Sequence, residues 1–377
     1  MKVVVVGAGA IGACVAYRLA REGAEVTLLD GANPAESLSA HSFGWVNAVV
    51  DGSAPYYDLT HAGLTAHGRL AGELPGEPWF FRHGNLHWAD TDTDGERLLA
   101  TAEAYRAKGY PVTRPTRAQV LRDLEPELLP ERMPAEFVHY PSDAHVDGGR
   151  LISALLTACR GLGVRVRLGA EVTGFLGAPP GIRGVVLASG EAHRADAVVC
   201  CAGRGTTRLV AEVGSAVPLA EPDDPERATL GLLVRTNPVR ARVRGVVHAP
   251  RISVRPHSGG RLLLHCHDID HTLRRDDRPE RTNEAAAEVL SRLAEVLPAA
   301  GARVESAFVG IRPMPRDGMS VLGWVPGTES LYVVVTHSGV TLAAVLGEIV
   351  AREVLGTPDD RASTFRPNRF APNPLTR

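Results

Sequence analysis

The first thirty residues contain the feature that most limits what this chain can fold into. Residues 3–6 are four consecutive valines, a pattern typical of a buried parallel strand. Three glycines follow over residues 7–12 with the spacing G-x-G-x-x-G. Apolar residues at helical spacing then cover residues 11–22, and residues 25–29 have the pattern of a second buried strand, which ends at Asp30. The sequence therefore predicts a β-α-β unit at the N-terminus.

A glycine turn between a strand and a helix is a strong indication of a dinucleotide site. Gly7 allows the tight turn, Gly9 lets a pyrophosphate approach the backbone, and Gly12 lets the helix pack closely on the strand. The free N–H groups at the start of the helix favour phosphate. The carboxylate of Asp30 can accept hydrogen bonds from ribose hydroxyls and would repel a 2′-phosphate. This motif disfavours NADP but leaves FAD and NAD open.

The remaining pattern predicts an interleaved, two-domain α/β chain. Buried strands and helices around residues 164–205 and near the C-terminus resemble a return to the first sheet. Residues 229–268 alternate strands and turns, which is typical of an antiparallel sheet. We predict a Rossmann-like domain from residues 1–80, 145–210 and 305–377, and a substrate domain from residues 81–144 and 211–304. We expect the last residues, rich in Pro, Asn and Arg, to form a tail.

Length and composition bound the class of protein. The chain has 377 residues, enough for two connected domains. The net charge of -2 offers no global attraction for nucleic acid or an anionic membrane. No segment has the length and apolarity of a membrane span, and no signal peptide is evident, so we expect a cytoplasmic protein. The five cysteines lack metal or disulfide spacing, which predicts reduced, buried thiols.

Three further segments resemble the D-amino-acid oxidase family of FAD enzymes, which includes glycine and sarcosine oxidases and D-amino-acid dehydrogenases. They are a serine-rich loop at residues 37–48, the stretch G-I-R-P-M-P-R-D-G at residues 310–318, and T-H-S-G-V-T-L-A at residues 336–343. The resemblance spans essentially the whole chain and is weakest between residues 206 and 229. It implies a Rossmann-like FAD-binding domain with an inserted antiparallel-sheet substrate domain.

The resemblance also implies roles for individual residues. The serine loop passes over the pyrophosphate, Arg312 holds a substrate carboxylate, and the last helix points its N-terminus at the flavin. The expected cofactor contacts are Gly7, Gly9, Ala10, Ile11, Gly12, Asp30, Ser39, His41, Ser42, Val172, Ala202, Gly203, Gly310, Arg312, His337, Ser338, Gly339, Val340, Thr341 and Leu342. The expected catalytic positions are Arg312, His41 and His265, where the two histidines would tune protonation.

Two departures from the sarcosine oxidase branch affect the expected chemistry. That branch attaches its flavin through a cysteine near the position of Gly310, and no cysteine lies there in this sequence, so we expect non-covalent FAD. It also uses a lysine near the flavin for reaction with oxygen, and we expect Leu263 at the comparable position of this sequence. The electron acceptor is therefore either oxygen or another molecule.

The segment H-C-H-D-I-D-H, at residues 265–271, contains a group of side chains that resembles a metal site. Alternation along a strand would place His265 and His267 on the same side. We interpret them as polar residues at the rim of a site and predict no metal.

The function predicted from all these features is oxidation of the C–N bond of a small amino acid or related amine to an imine, by hydride transfer to flavin N5. A second copy of the chain, in a homo-oligomer, is among the expected partners. The alternatives are an NAD-linked dehydrogenase, which would lack the serine loop and the last helix motif, and a flavoprotein subunit without amine oxidase activity.

Overall fold

The computed structural model describes residues 1–48, 53–134, 136–222, 224 and 229–370. Within these residues the strands are β1 (Lys2–Val6), β2 (Glu25–Asp30), β3 (Trp45–Val46), β4 (Phe80–Phe81), β5 (Asn85–His87), β6 (Val138–Tyr140), β7 (Ala144–Val146), β8 (Arg165–Leu168), β9 (Val172–Phe175), β10 (Gly184–Leu187), β11 (Ala192–Arg194), β12 (Ala197–Cys200), β13 (Leu230–Thr236), β14 (Val246–Ala249), β15 (Ile252–His257), β16 (Arg261–His265), β17 (Val304–Ile311), β18 (Val321–Trp324) and β19 (Leu331–Val335). The α-helices are α1 (Ala10–Arg21), α2 (Ala54–Glu73), α3 (Asp92–Ala107), α4 (Arg117–Gln119), α5 (Gly148–Gly161), α6 (Thr206–Ala211), α7 (His267–Asp270), α8 (Pro279–Arg292) and α9 (Gly339–Val354).

A six-stranded, mostly parallel sheet organises the N-terminal, central and C-terminal parts of the chain. Its strand order is β18-β19-β12-β1-β2-β8. Strand β1 lies between β2 and β12 and is parallel to both, so the β-α-β unit predicted at the N-terminus is present. Only the edge strand β18 pairs antiparallel in this sheet. The four valines of β1 are almost fully buried, which explains their continuous apolar run.

This sheet is covered on both faces. Helices α1, α2, α5 and α9 pack into one large apolar cluster with one face of the sheet. Helices α1 and α9 approach closely, because a Cβ at Gly347 would lie 3.0 Å from the backbone oxygen of Cys14. A small antiparallel sheet of order β11-β10-β9 covers the other face through a second cluster. The result is the layered arrangement expected of a Rossmann-like fold.

A second, larger sheet has the order β17-β13-β16-β15-β14-β5-β6. Its strands pair antiparallel except for β14 and β5, which are parallel. Helix α8 buries its apolar side against one face of this sheet. Strand β17 was not predicted, and it belongs to this sheet although the predicted boundaries assign residues 305–377 to the other domain. The domain boundaries themselves stay predictions.

The C-terminal segment corrects one expectation, because residues 360–370 are not a loose tail. They form short 3₁₀ turns, and Phe365 is buried. The Arg366 guanidinium donates to Glu353 at 2.6 and 2.5 Å, and the hydroxyl of Tyr332 on β19 donates to the same carboxylate at 2.6 Å. This partly buried ion pair fastens the segment to α9 and the parallel sheet. Residues 371–377 lie outside the described part.

Two further sequence expectations concern membranes and thiols. Over the described residues, no helix combines the length and apolarity needed to cross a bilayer. The five cysteines are free thiols, and all but Cys201 are buried.

We predict that acid destabilises the fold through His67 on α2. This side chain is fully buried, and its Nε2 donates to the Val340 carbonyl oxygen at 2.8 Å. Burial lowers the pKa of His67 from 6.5 to about 4. His67 therefore binds a proton below about pH 6.5 in the unfolded chain, but only below about pH 4 in the folded chain. This contribution to stability is complete above pH 6.5 and is lost between 6.5 and 4, at up to ~1.4 kcal/mol per pH unit.

Urea unfolding midpoints at pH 7.5 and pH 5 measure this effect. In H67Q, whose amide keeps an N–H donor for Val340, stability should fall less between the two pH values than in the wild type. The exposed His61 lies on the same helix, and H61Q serves as the matched control. An H67Q protein as acid-sensitive as the wild type would contradict the assignment.

Candidate active site

The main cavity of the described structure has a volume of about 880 Å³ and lies where the two large sheets meet. It runs from the first glycine turn and the end of β2, past the serine loop and the start of α9, to the inner face of the seven-stranded sheet. Its size falls within the ~300–1,000 Å³ typical of ligand and cofactor sites. Ligand sites at the carboxyl ends of parallel strands are typical of doubly wound sheets.

The glycine turn has no room for side chains. Gly7 adopts a φ of +99°, and a Cβ there would lie 2.4 Å from the Cys201 carbonyl oxygen. A Cβ at Gly12 would lie 1.8 Å from the Gly7 oxygen. Helix α1 begins directly after Gly9, whose position offers no side-chain cap. The turn therefore presents backbone N–H groups to the cavity.

Asp30 is half-buried at the end of β2 and lines the cavity. Its Oδ2 accepts from the backbone N–H of Ala8 at 2.6 Å, and its Oδ1 accepts from Ala32 at 2.9 Å. These bonds fix the carboxylate beside the glycine turn. Because each carboxylate oxygen has two lone pairs, each can accept a further hydrogen bond from a hydroxyl group.

The serine loop lies across the cavity and is anchored on both sides. Ser39 accepts from the N–H of Ala10 at 3.2 Å, at the start of α1. The His41 ring stacks on Phe308 of β17, with centroids 4.3 Å apart. Burial, together with the charge of Arg235, lowers the pKa of His41, which favours its neutral form. Ser42 also lines the cavity, so the loop contributes hydroxyls next to the first helix.

Helix α9 begins at the same cavity. Ser338 precedes it without a side-chain cap, and the first helical bond runs from the N–H of Leu342 to Ser338. The N–H groups of Gly339, Val340 and Thr341 therefore precede that bond at the cavity wall. The hydroxyl of Tyr56 lies 2.8 Å from Ser338 Oγ and fixes this end of the helix.

The inner face of the seven-stranded sheet contributes one row of side chains. Cross-strand pairing aligns Phe308, Leu233, His265, Ser253 and His248 across five neighbouring strands. All five line the cavity. The Nδ1 of His248 lies 2.7 Å from Ser253 Oγ, and burial lowers the pKa of His248 far below 6.5. This wall is thus built from two histidines, of which His248 is neutral, a hydroxyl and two apolar side chains.

Arg312 directly follows β17 and forms an ion pair with the buried carboxylate of Asp270. Its Nη2 donates to Asp270 Oδ2 at 2.9 Å and to the Leu230 carbonyl oxygen at 3.0 Å. The Nε2 of His265 lies 2.8 Å from the same Oδ2. Both bonds of Arg312 use Nη2, so Nη1 and Nε are not committed to them. Arg312 lines the cavity, as the resemblance implies.

The H-C-H-D-I-D-H segment differs from the expectation. Strand β16 ends at His265 and His267 begins helix α7, so strand alternation does not place them on the same side. Asp268 turns to Arg292, with contacts of 2.7 and 2.8 Å. Across the described residues, no group of three His, Cys, Asp or Glu is placed to hold a metal.

Leu263 also departs from the expectation. It is buried and is absent from the lining of the cavity, where β16 presents His265 instead.

The structure brings most of the predicted residues together. Those lining the cavity are Gly7, Gly9, Ala10, Ile11, Asp30, Ser39, His41, Ser42, Val172, Ala202, Gly203, His265, Gly310, Arg312, His337, Ser338, Gly339, Val340 and Thr341. Gly12 is not among them and serves the packing of α1 on the glycine turn. Leu342 does not line the cavity either. Its side chain is fully buried and packs near Gly63 of α2, so it does not face the cofactor cavity.

Sequence reasoning missed Asp270 as a buried partner and His248, Ser253 and Phe308 as wall residues. One signal was available for two of them. His248 is a polar residue within the otherwise apolar strand β14, and Ser253 lies between two apolar residues on β15, which can mark a polar site on an inner face. The pairing that aligns them with His265 joins strands far apart in sequence, and no local pattern contains it.

Comparison with known proteins decides the family. The model of the family described as "FAD dependent oxidoreductase" matches residues 2–353. The chain belongs to this family. Among its relatives, a glycine oxidase of Geobacillus kaustophilus (strain HTA426) is 27% identical over 361 residues, covering 93% of this chain and 91% of the relative. A D-amino acid dehydrogenase of Xanthobacter autotrophicus is 25% identical, covering 98% and 99%.

A solved structure shows the same fold. The crystal structure of glycine oxidase from Geobacillus kaustophilus superposes with a TM-score of 0.82, at 24% identity and with 98% and 99% of the two chains covered. These findings confirm the predicted family, the mixed α/β fold, the FAD cofactor and the class of an FAD-dependent oxidoreductase of the amino-acid oxidase type. The NAD-linked alternative is thereby set aside.

The cavity fits FAD. Two helices, α1 and α9, begin at it without a cap from their own N-cap side chains. The glycine turn leaves space where a Cβ would collide, and Asp30 stands at the end of β2. The first helix and Ser39 would hold the pyrophosphate, Asp30 a ribose, and α9 the flavin. Non-covalent attachment stays a prediction.

We predict that D30A weakens FAD binding about 10- to 100-fold, because charge-assisted hydrogen bonds are worth ~1.5–3 kcal/mol. Titration of apoprotein with FAD, followed by flavin fluorescence, measures the dissociation constant. Glu25 is the carboxylate at the other end of β2, and E25Q is the matched control. The role of Asp30 fails if both variants bind FAD equally well.

Proposed function

We propose that this enzyme oxidises the C–N bond of a small α-amino acid to an imine, with Arg312 holding the substrate carboxylate. The observation that carries this proposal is the position of Arg312 in the same cavity as the start of α9 and the glycine turn. A relative named glycine oxidase, alike over nearly the full length, supports an amino acid of this size. A cytoplasmic location and a homo-oligomeric state remain part of the proposal, and the free thiols agree with a reducing compartment.

Arg312 is suited to bind a carboxylate. A guanidinium binds carboxylates through planar, charge-assisted bonds. Asp270 and the Leu230 carbonyl hold Nη2 and so fix the plane of the group. The donors at Nη1 and Nε remain for the substrate. An arginine fixed in this way determines where the Cα–H bond of a bound amino acid lies.

The cavity residues support the reaction by position and polarity. Bound FAD supplies the two-electron acceptor that takes hydride from Cα. The start of α9 places N–H donors and the positive end of a helix dipole at the cavity, which stabilises negative charge there. Phe43, Trp45, Leu233 and Phe308 give the walls apolar surface and limit both water and substrate size.

We predict that R312K raises the KM for the amino acid about 10- to 100-fold, because one ammonium cannot keep both Nη2 contacts and also donate from the positions of Nη1 and Nε. Anaerobic reduction of the flavin by glycine and by methylamine is the measurement. Only glycine has a carboxylate, so the variant should slow flavin reduction by glycine and leave the rate of reduction by methylamine unchanged.

The matched control is R316K, an exposed arginine of the same motif. The anchoring role is refuted if R312K loses as much activity toward methylamine as toward glycine. If no amine reduces the wild-type flavin, the proposed function itself fails.

A second candidate, an amino-acid dehydrogenase that passes electrons to an acceptor other than oxygen, is favoured by one observation. The chain has two lysines, Lys2 and Lys108, and neither lines the cavity. Lys108 lies over the rings of Tyr57 and Tyr105 instead. We expect the reduced enzyme to react more slowly with oxygen than with a ferrocenium salt. Stopped-flow reoxidation with each acceptor tests this, and faster reoxidation by oxygen would favour the oxidase.

A further inference from the structure

Asp270 is a buried carboxylate behind the cavity wall, where it contacts two residues that line the cavity, His265 and Arg312. Its side chain is fully buried on the short helix α7. Oδ1 accepts from the N–H of Leu232 at 2.8 Å. Oδ2 lies 2.8 Å from His265 Nε2 and 2.9 Å from Arg312 Nη2. One carboxylate thus joins a strand backbone, the histidine and the arginine of the same cavity.

The pairing strand leaves space for this cluster. A Cβ at Gly231 would lie 3.2 Å from Arg312 Nη2 and 3.5 Å from Asp270 Oδ2. The ion pair therefore crosses β13 at the one residue that lacks a side chain. Such close fitting fixes all three side chains together.

This geometry determines which ring nitrogen of His265 carries a proton. A carboxylate that is ion-paired with Arg312 only accepts hydrogen bonds, so neutral His265 must donate from Nε2. Its Nδ1 then keeps a lone pair. Since His265 lines the cavity, this lone pair belongs to a ring at the substrate site.

We propose that Asp270 is a positioning residue that holds His265 with Nδ1 unprotonated, and that His265 Nδ1 accepts a proton from the substrate ammonium before hydride leaves Cα. This inference rests on the proposed function. The proton moves from R-NH₃⁺ to the imidazole and leaves R-NH₂. The amine lone pair then forms the C=N bond as hydride passes from Cα to the bound flavin, the oxidant.

The charges of the cluster favour this transfer once substrate is bound. The charges of Arg312 and Asp270 cancel each other, so a proton added to His265 gives the cluster a net charge of about +1 unless a further negative group binds. A substrate carboxylate on Arg312 supplies the balancing negative charge. Among the described residues, the titratable groups near His265 include His267, at the N-terminal end of α7, and His248, which burial keeps neutral. Substrate binding thus prepares the base.

The first test observes the His265 ring directly, independently of turnover. Holoenzyme labelled with ¹⁵N-histidine is compared by NMR with H265N, which assigns the His265 signals. We expect the wild type to show the Nε2–H tautomer and D270N to lose it. D268N is the matched control, since Asp268 lies on the same helix but pairs with Arg292. An Nδ1–H tautomer in the wild type, or one unchanged in D270N, overturns the positioning role.

The second test measures proton transfer in the H265N holoenzyme, which keeps the Asp270–Arg312 pair and does not depend on D270N folding. We expect the anaerobic rate of flavin reduction by glycine to fall at least ~100-fold and to lose its rise with pH. Acetate, which has the carboxylate without the amine, should still perturb the flavin spectrum with unchanged affinity. Wild-type reduction rates in H265N, or an equal loss of acetate binding, overturn the base assignment.

The two tests separate this inference from the proposed function. If glycine and other amines fail to reduce the wild-type flavin, the proposed function and the proton transfer both fall. The tautomer measurement then decides the positioning by Asp270 alone.

Discussion

The structure depends on two helices that begin at one cavity without closing their own N-termini. Helices α1 and α9 lie side by side on the same face of the parallel sheet, and neither N-cap side chain satisfies the first N–H groups. Unsatisfied N–H groups and aligned dipoles are costly unless something negative or hydrogen-bonding faces them. A cofactor with a pyrophosphate in its middle and an electron-accepting ring at one end meets both needs. The rest of the fold holds these two helix ends in place.

Much of this half of the molecule could be predicted because its signals are local. The valine run, the glycine turn and Asp30 lie within thirty residues, and each has one physical meaning in a β-α-β unit. The start of α9 could be predicted from T-H-S-G-V-T-L-A only through the resemblance. The motif does not show which way each side chain faces: Leu342 lies in it, but its side chain packs near Gly63 of α2, which one helix sequence does not reveal.

The cavity wall formed by the seven-stranded sheet could not be predicted to the same degree, because pairing between strands far apart in sequence builds it. Phe308 and His265 line one row only because β13 lies between their strands, and β17 escaped recognition altogether. The assignment of Asp270 required knowing that the chain leaves β16 after His265 and turns into α7. A pattern of alternating residues predicts faces within a strand, but it cannot tell where the strand stops.

A buried cation, Arg255 on β15, connects the seven-stranded sheet to the serine loop. Its side chain is 2% exposed and donates to the carbonyl oxygens of Ser42, Phe43 and Pro256. Burial lowers its pKa to about 10, so the group remains charged at neutral pH. Carbonyl dipoles and the nearby charge of Asp147 must offset the loss of hydration. Because two of those carbonyls, of Ser42 and Phe43, belong to the serine loop, the loop cannot leave the cavity without removing acceptors from a buried charge.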